Sequence, residues 1–170
     1  MSEKGKHLFL TGMMGSGKSS CGRALAELRN WNFIDLDTEI EKMQGKKISD
    51  IFREEGEAAF RKYESACARS LKLKKKTVVA CGGGFPLRSE NRAWMKRLGT
   101  VIWLQADPET IAGRVRTGNR PLLQNPQDIR NIRRILDERM AVYETADLRI
   151  DTRANGIAEV VQAILRELHE

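Results

Sequence analysis

Apolar positions along the chain come in short runs that alternate with longer stretches of helical period. Leu8-Phe9-Leu10, inside Lys6–Thr11, has no polar alternation and predicts a strand buried on both faces. A helix is expected over Ser19–Leu28, then a strand over Trp31–Leu36. A polar helical run from Thr38 to Gln44 stops at Gly45. Ser49 reads as the N-cap of a helix over Asp50–Glu55, Gly56 interrupts it, and a longer helix follows over Glu57–Leu71. Thr77–Ala80 is a short β-branched strand, Ser89–Leu98 a helix, and Val101–Gln105 another strand. Asp107-Pro108 marks a helix start with proline at its first position. Gln127–Tyr143 reads as a long helix with apolar Ile129, Ile132, Ile135, Leu136 and Met140. Leu148–Ile150 is the last strand and Gly156–Leu168 a closing amphipathic helix. Strands alternating with helices predict an α/β fold, a parallel sheet covered on both faces.

Length and composition narrow this picture. A chain of 170 residues, with 41% hydrophobic and 31% charged residues, fits one domain over residues 1–170. The formal charge of +7, from 30 basic and 23 acidic residues, admits a nucleic-acid partner or a pocket for small anions. Basic residues are spread out, with only Lys72–Lys76 forming a run and no interleaved aromatics, so a nucleic-acid partner is not expected. Cys21, Cys67 and Cys81 form no CxxC pair, and scattered thiols predict a reducing, cytoplasmic setting. Neither a signal-peptide core nor an apolar run of membrane-spanning length is visible, so no membrane partner is expected.

The chemistry concentrates at strand ends. Gly12-x-x-x-x-Gly17-Lys18-Ser19 follows the first strand and opens the first helix, the full pattern of a phosphate-binding loop. Gly12, Gly15 and Gly17 permit a turn whose N–H groups face phosphate oxygens; Lys18 supplies a cation and Ser19 a hydroxyl for Mg²⁺. Asp35 and Asp37 flank Leu36, so in an extended segment both carboxylates point one way, toward metal-bound water or a substrate hydroxyl. The plainer alternative is a solvated loop with Asp37 as a helix cap. Gly82-Gly83-Gly84 directly follows a strand, and three glycines cost ordering entropy that close approach of another group would repay. Arg114, Arg116 and Arg120, within a segment of few apolar residues over 114–124, suit a cationic lid that excludes water from phosphoryl transfer. Arg120, fixed by Pro121, is placed to reach the phosphates, and residues 151–155 to cradle a nucleotide base.

Taken together these segments resemble shikimate kinase nearly end to end. Gly12-Met-Met-Gly-Ser-Gly-Lys-Ser19 looks like that family's phosphate loop, and Phe33-Ile-Asp-Leu-Asp37 like its strand end. The most specific likeness is Gly56-Glu57 followed by Phe60-Arg61; Gly82–Gly84, Arg120-Pro-Leu-Leu123, Arg139 with Tyr143, and Ala146-Asp147 keep the family's order. The resemblance implies a P-loop NTPase fold of the nucleoside-monophosphate-kinase type, with a five-stranded parallel sheet and a substrate-binding region about 38–61. It implies transfer of the ATP γ-phosphate to the 3-hydroxyl of shikimate, on the route to chorismate and aromatic amino acids. Asp37, Arg61, Arg139 and Gly83 with Gly82 and Gly84 would bind shikimate, with Asp37 nearest to a general base. Gly12, Gly15, Ser16, Gly17, Lys18, Ser19 and Ser20, with Arg116, Arg120 and Arg153, would bind ATP. Lys18 and Arg120 would stabilise the moving phosphoryl group, and Ser19 and Asp35 would hold Mg²⁺, Asp35 through water. The segment Arg116–Pro121 and the loop after Asp151 are shorter than in many members. A gluconate-type sugar-acid kinase shares the phosphate loop and lid but leaves the Gly-Glu/Phe-Arg signature and the glycine triplet unused. An NTP-dependent nucleic-acid-binding protein is the alternative from another class. A monomer is expected.

Overall fold

β1 (His7–Thr11) is buried along its whole length because it lies at the middle of a sheet with a layer on each face. The structure, a computed structural model, describes residues 7–73, 75–115, 128–153 and 156–169. Within them the order is β1, α1 (Lys18–Leu28), β2 (Asn32–Asp35), α2 (Leu36–Gln44), α3 (Ile48–Glu55), α4 (Glu57–Ser70) and β3 (Thr77–Ala80). A 3₁₀ turn (Phe85–Leu87), α5 (Ser89–Leu98), β4 (Gly99–Gln105), α6 (Pro108–Arg114), α7 (Ile129–Tyr143), β5 (Leu148–Asp151) and α8 (Ile157–Glu167) complete it. The strands form one parallel five-stranded sheet ordered β2-β3-β1-β4-β5. This is the P-loop fold of the nucleoside-monophosphate-kinase type.

The strand alternation assigns each residue to a face. Leu8, Leu10, Val78, Ile102, Leu104 and Ile150 pack on α1 and α8 through Leu25, Ala26, Val161 and Ile164. Phe9, Val79 and Val101 face the other way, onto Ile40, Ile51, Phe60, Trp94 and Met95 of α2 to α5. Met13, Trp103, Ile111, Ile132, Leu136 and Tyr143 form a third cluster that seats α6 and α7. Parallel pairing aligns the carboxyl ends: Leu10 and Asp35 both lie opposite Ala80, and Thr11 opposite Trp103. The turns that follow β1, β2 and β3 therefore emerge side by side, as doubly wound sheets require.

Several boundaries differ from expectation for local reasons. Leu36 belongs to α2, because the Asp35 side chain accepts from the N–H groups of Asp37 and Thr38 and ends β2 by capping the helix. α3 begins at Ile48 with Lys47 as N-cap, not at Ser49, and Glu41 accepts the Ile48 N–H at 3.0 Å. β4 starts two residues earlier than expected, at Gly99. Ile129 is exposed at the start of α7.

Gly99 is extended, with φ −178°, so no unusual backbone demands glycine there. Space does: a Cβ would collide with the backbone carbonyl of His7 on β1. That strand is paired on both sides and has nowhere to retreat. Gly99→Ala is expected to cost about 2 kcal/mol of unfolding free energy by overpacking. Urea denaturation checks this; an unchanged midpoint would mean that the strand pair yields freely.

Candidate active site

The loop after β1 is shaped by what lies beneath it. Gly12 has φ 136°, and a Cβ there would sit 2.5 Å from the carbonyl oxygen of Leu104. Only glycine lets the chain leave β1 at this angle. Gly17, with φ 96°, is the left-handed N-cap of α1, so the first N–H groups of the helix open into a cleft of about 480 Å³. Gly15, Ser16, Gly17, Lys18, Ser19 and Ser20 line that cleft, as do Asp35, Asp37, Gly82 and Gly83. Gly12 is not among its lining residues; it supports the loop from below. The Lys18 ammonium donates to the carbonyls of Gly12 and Met13, both at 2.9 Å, on the loop it serves.

Asp35 does two jobs. One carboxylate oxygen caps α2, and the other accepts from the Ser19 hydroxyl at 2.5 Å. The local chain at Asp37 is helical rather than extended, yet Asp35 and Asp37 both line the cleft. The alternation argument for the pair fails; the helix start brings them together instead. Asp35, not Asp37, is the cap.

A second cavity of about 300 Å³ adjoins the first and shares Met14, Ser19, Asp35, Asp37, Gly82 and Gly83 with it. Arg61, Gly84 and Arg139 line it, so residues from α2, α4, α7 and the glycine turn converge there. Glu41, Ile48 and Phe52 complete its wall. Arg139 is buried, with one guanidinium nitrogen 4.0 Å from the Met13 sulfur. Arg61 donates to Glu64 at 2.8 Å and to Glu57 at 3.0 Å along its own helix.

The glycine triplet is explained by this traffic. A Cβ on Gly82 would lie 2.8 Å from Glu64 Oε1 and 3.0 Å from Asp37 Oδ1. On Gly83 it would lie 3.1 Å from Arg139 Nη1, and on Gly84 it would run into the Arg61 guanidinium. None of the three has a positive φ. Each is glycine for room, and four charged groups press against the three of them.

Glu64 is the site residue that the reading of the sequence missed. It lies three residues after Arg61, a helical spacing that could have revealed it. The residue is buried, its Oε1 has no hydrogen-bond partner among the described residues, and Arg61 holds its other oxygen. Burial raises its carboxyl to about 7, against the pull of the Arg61 charge and with a push from Asp37.

The lid residues Arg116 and Arg120 lie outside the described residues. Arg114 belongs to the end of α6, not to a lid: its guanidinium donates to the Thr152 carbonyl at 2.6 Å and hydroxyl at 3.1 Å. It joins Thr152, Gly156, Ile157 and Val160 in lining the far end of the phosphate cleft. Arg153 does not line it; its guanidinium forks onto Asp151, with contacts from 2.6 to 3.0 Å. Arg114 and Ile157, not Arg153, line that end of the cleft.

The family model described as shikimate kinase matches residues 14–169 of this chain. Shikimate kinase of Bacillus mycoides is 41% identical over 166 residues, which cover 97% of this chain and 99% of that protein. The solved structure of shikimate kinase from Acinetobacter baumannii in complex with shikimate superposes with a TM-score of 0.91. It is 37% identical, and the match covers 98% of this chain and 94% of that one. Aquifex aeolicus shikimate kinase gives a TM-score of 0.83 at 35% identity, covering 96% of each chain.

Glu64 makes the site's electrostatics measurable without any ligand. Its carboxyl is raised in the folded state above the model-compound value of 4.5, so the folded chain binds its proton more tightly. Its stabilising contribution is therefore full below pH 4.5 and is lost as pH rises through about 7. Relative to Glu64→Gln, the wild-type unfolding free energy is expected to fall by on the order of 2 kcal/mol over that window. Parallel urea titrations at pH 5 and 8 check it; a constant difference between the two proteins would refute it.

Proposed function

The chain belongs to the shikimate kinase family, and from that premise we propose that it transfers the γ-phosphate of ATP to the 3-hydroxyl of shikimate. Shikimate 3-phosphate and ADP are the products, on the route to chorismate. One observation supports the substrate assignment above the rest. Two arginines from separate helices, Arg61 and Arg139, meet Asp37 and a side-chain-free turn in a cavity of about 300 Å³. That set suits a small acid with several hydroxyls: cations for its carboxylate, a carboxylate and backbone groups for its hydroxyls.

The transfer follows from the shared wall of the two cavities. ATP phosphates sit on the loop Gly12–Ser20, and shikimate beyond Gly82 and Gly83. The shikimate hydroxyl oxygen attacks the γ-phosphorus, the bond to the bridging oxygen of ADP breaks, and the hydroxyl proton passes toward Asp37. Asp37 lines both cavities, which supports its role as the base. Lys18 and the loop N–H groups stabilise charge on the transferred group. Arg120 completes this role in our reading, and Arg116 serves the adenine side, both from outside the described residues. Arg61 and Arg139 hold the acid's carboxylate and so aim its hydroxyl.

Mg²⁺ fits the donors present. Ser19 and Asp35 offer a hydroxyl and a carboxylate oxygen already in contact, the hard ligands that magnesium takes alongside phosphates and water. Among the described residues there is no group of three or more carboxylates, histidines or cysteines that could hold a metal ion. When bound, the ion would neutralise phosphate charge; Ser19 and Asp35 would orient it.

We read the protein as a cytoplasmic monomer without a nucleic-acid or membrane partner. The buried, unpaired thiols of Cys21, Cys67 and Cys81 support a reducing compartment. Lys46, Arg53, Arg133 and Arg134 pair with carboxylates on their own surface, which supports the absence of a nucleic-acid stripe. No described helix is long and apolar enough to cross a membrane.

A coupled assay over a panel of acids tests the assignment: ADP release should rise sharply with shikimate and stay at background with gluconate or nucleoside monophosphates. Turnover indifferent to shikimate would end this reading. Arg61→Ala should raise the shikimate KM by roughly 10- to 100-fold, the cost of a lost charge-assisted contact, and change the ATP KM little. An equal rise for both substrates would make Arg61 a structural residue. Ser19→Ala should raise the Mg²⁺ concentration for half-maximal rate by about tenfold, an expectation for losing one oxygen ligand that a Mg²⁺ titration at fixed ATP reads out.

A further inference from the structure

Tyr143 is fully buried near the end of α7, yet it is not merely apolar filling. Its hydroxyl donates to the carbonyl of Gly83 at 2.7 Å, across sixty positions of sequence. Its ring stacks on Trp103, centroids 5.8 Å apart and planes at 26°. Trp103 lies opposite Thr11 on β4, so the ring is anchored to the centre of the sheet and only the hydroxyl reaches the site. A phenylalanine would fill that core equally well; a buried hydroxyl is worth its desolvation only where it finds a partner.

Gly83 is tightly hemmed. A Cβ there would lie 3.1 Å from Arg139 Nη1, 3.4 Å from the Gly12 carbonyl oxygen and 3.5 Å from the Met14 nitrogen. The turn thus rests between the carboxylate-binding arginine and the phosphate loop. Arg139 stands one helical turn before Tyr143 on α7, so one rigid element sets both the arginine and the tether. Burial pushes the phenol up and keeps it a neutral donor, while the charge of Arg139 and a hydrogen bond with it pull the other way.

We propose that Tyr143 is a positioning residue for phosphoryl transfer: its hydroxyl holds the Gly82–Gly84 turn at a fixed height between Arg139 and the phosphate loop. The proposal rests on the shikimate kinase reading and deepens it. Tyr143 lines neither cavity; it acts through the Gly83 carbonyl and through Arg139, which its hydroxyl also meets. Losing the donor takes this partner from the Gly83 carbonyl and lets the turn shift first where it meets Arg139, the nearer of its neighbours.

The test is steady-state kinetics on Tyr143→Phe with both substrates varied. Removing this hydrogen bond should raise the shikimate KM roughly 5- to 50-fold, with the ATP KM within about twofold of wild type. A shikimate KM within twofold of wild type, or equal rises for both substrates, would overturn the proposal. Trp103→Phe guards against poor folding: it loosens the stack and keeps the hydroxyl. It should lower Tm while leaving the ratio of the two KM values unchanged. A selective rise in shikimate KM in that variant would assign the effect to ring packing and overturn the proposal as well. Wild-type turnover independent of shikimate would fail the reaction itself; an active wild type with an indifferent Tyr143→Phe fails only the role of Tyr143.

Discussion

Space above the end of β3 is the constraint on which the site depends. Glu64, Asp37, Arg139 and Arg61 all need to occupy the volume that Cβ atoms of residues 82–84 would fill. Ordinary side chains there would push four charged groups apart and dissolve the cavity they line. The cost is a turn with no side chains of its own to hold it, and glycines lose the most freedom on ordering. The fold offsets that cost from three directions. Cys81 N–H donates to the Leu10 carbonyl, Phe85 N–H to Gly82, and Tyr143 to Gly83. Phe85, fully buried against Trp94, then locks the chain that leaves the turn.

The nucleotide half depends on a similar exclusion with a different cause. Gly12 must pass over the Leu104 carbonyl, and its positive φ adds a conformational demand that Gly82 to Gly84 do not have. The two glycine sets meet because β1 and β3 are paired in parallel register, Leu10 opposite Ala80. Parallel pairing is thus a functional fact: it delivers two turns to the same edge at the same height, within reach of one phosphoryl group. Asp35 ties the third strand into this edge by capping α2 and holding Ser19 at once. An antiparallel neighbour would put one of these turns at the opposite end of the sheet.

Most of the architecture was legible because its signals are local. The unbroken run Leu8-Phe9-Leu10, the β-branched Thr77-Val-Val, and the Asp107-Pro108 start each carry their element in a few residues. The glycine-rich loop was legible for the same reason. What escaped depended on which groups a side chain meets once folded. Asp35 competes for the N–H groups of Asp37 and Thr38, so a segment of strand-like composition becomes a helix start. Glu64 carries no motif of its own; its meaning comes from burial beside Arg61 and Gly82. Arg114 looked like a companion of Arg116 and Arg120, but Thr152, distant in sequence, claims it for the wall of the cleft. The glycine triplet was read as a backbone closely approached, and the approach comes from the pocket's own charges.

The balance of those charges bears on why Glu64 is there at all. Two arginines in a small buried pocket attract any anion, including free phosphate and the products of ATP hydrolysis. Glu64 partly answers Arg61, so the guanidinium is held in place and its field reduced until a carboxylate with the right hydroxyls displaces some of that interaction. An apolar residue in its place would leave Arg61 loose, with Glu57 alone to orient it from an exposed position. A solvated acid would hold it only weakly, because water screens the pair. The buried Glu64 holds it at 2.8 Å, and the same burial lifts the Glu64 carboxyl to about 7. An anion seated against Arg61 and Arg139 adds repulsion and shifts Glu64 further toward its neutral form. Reciprocity then requires that protonated Glu64 favour that anion. The acid pocket is built around a carboxyl that burial lifts toward its neutral form, and a glycine turn leaves it the room.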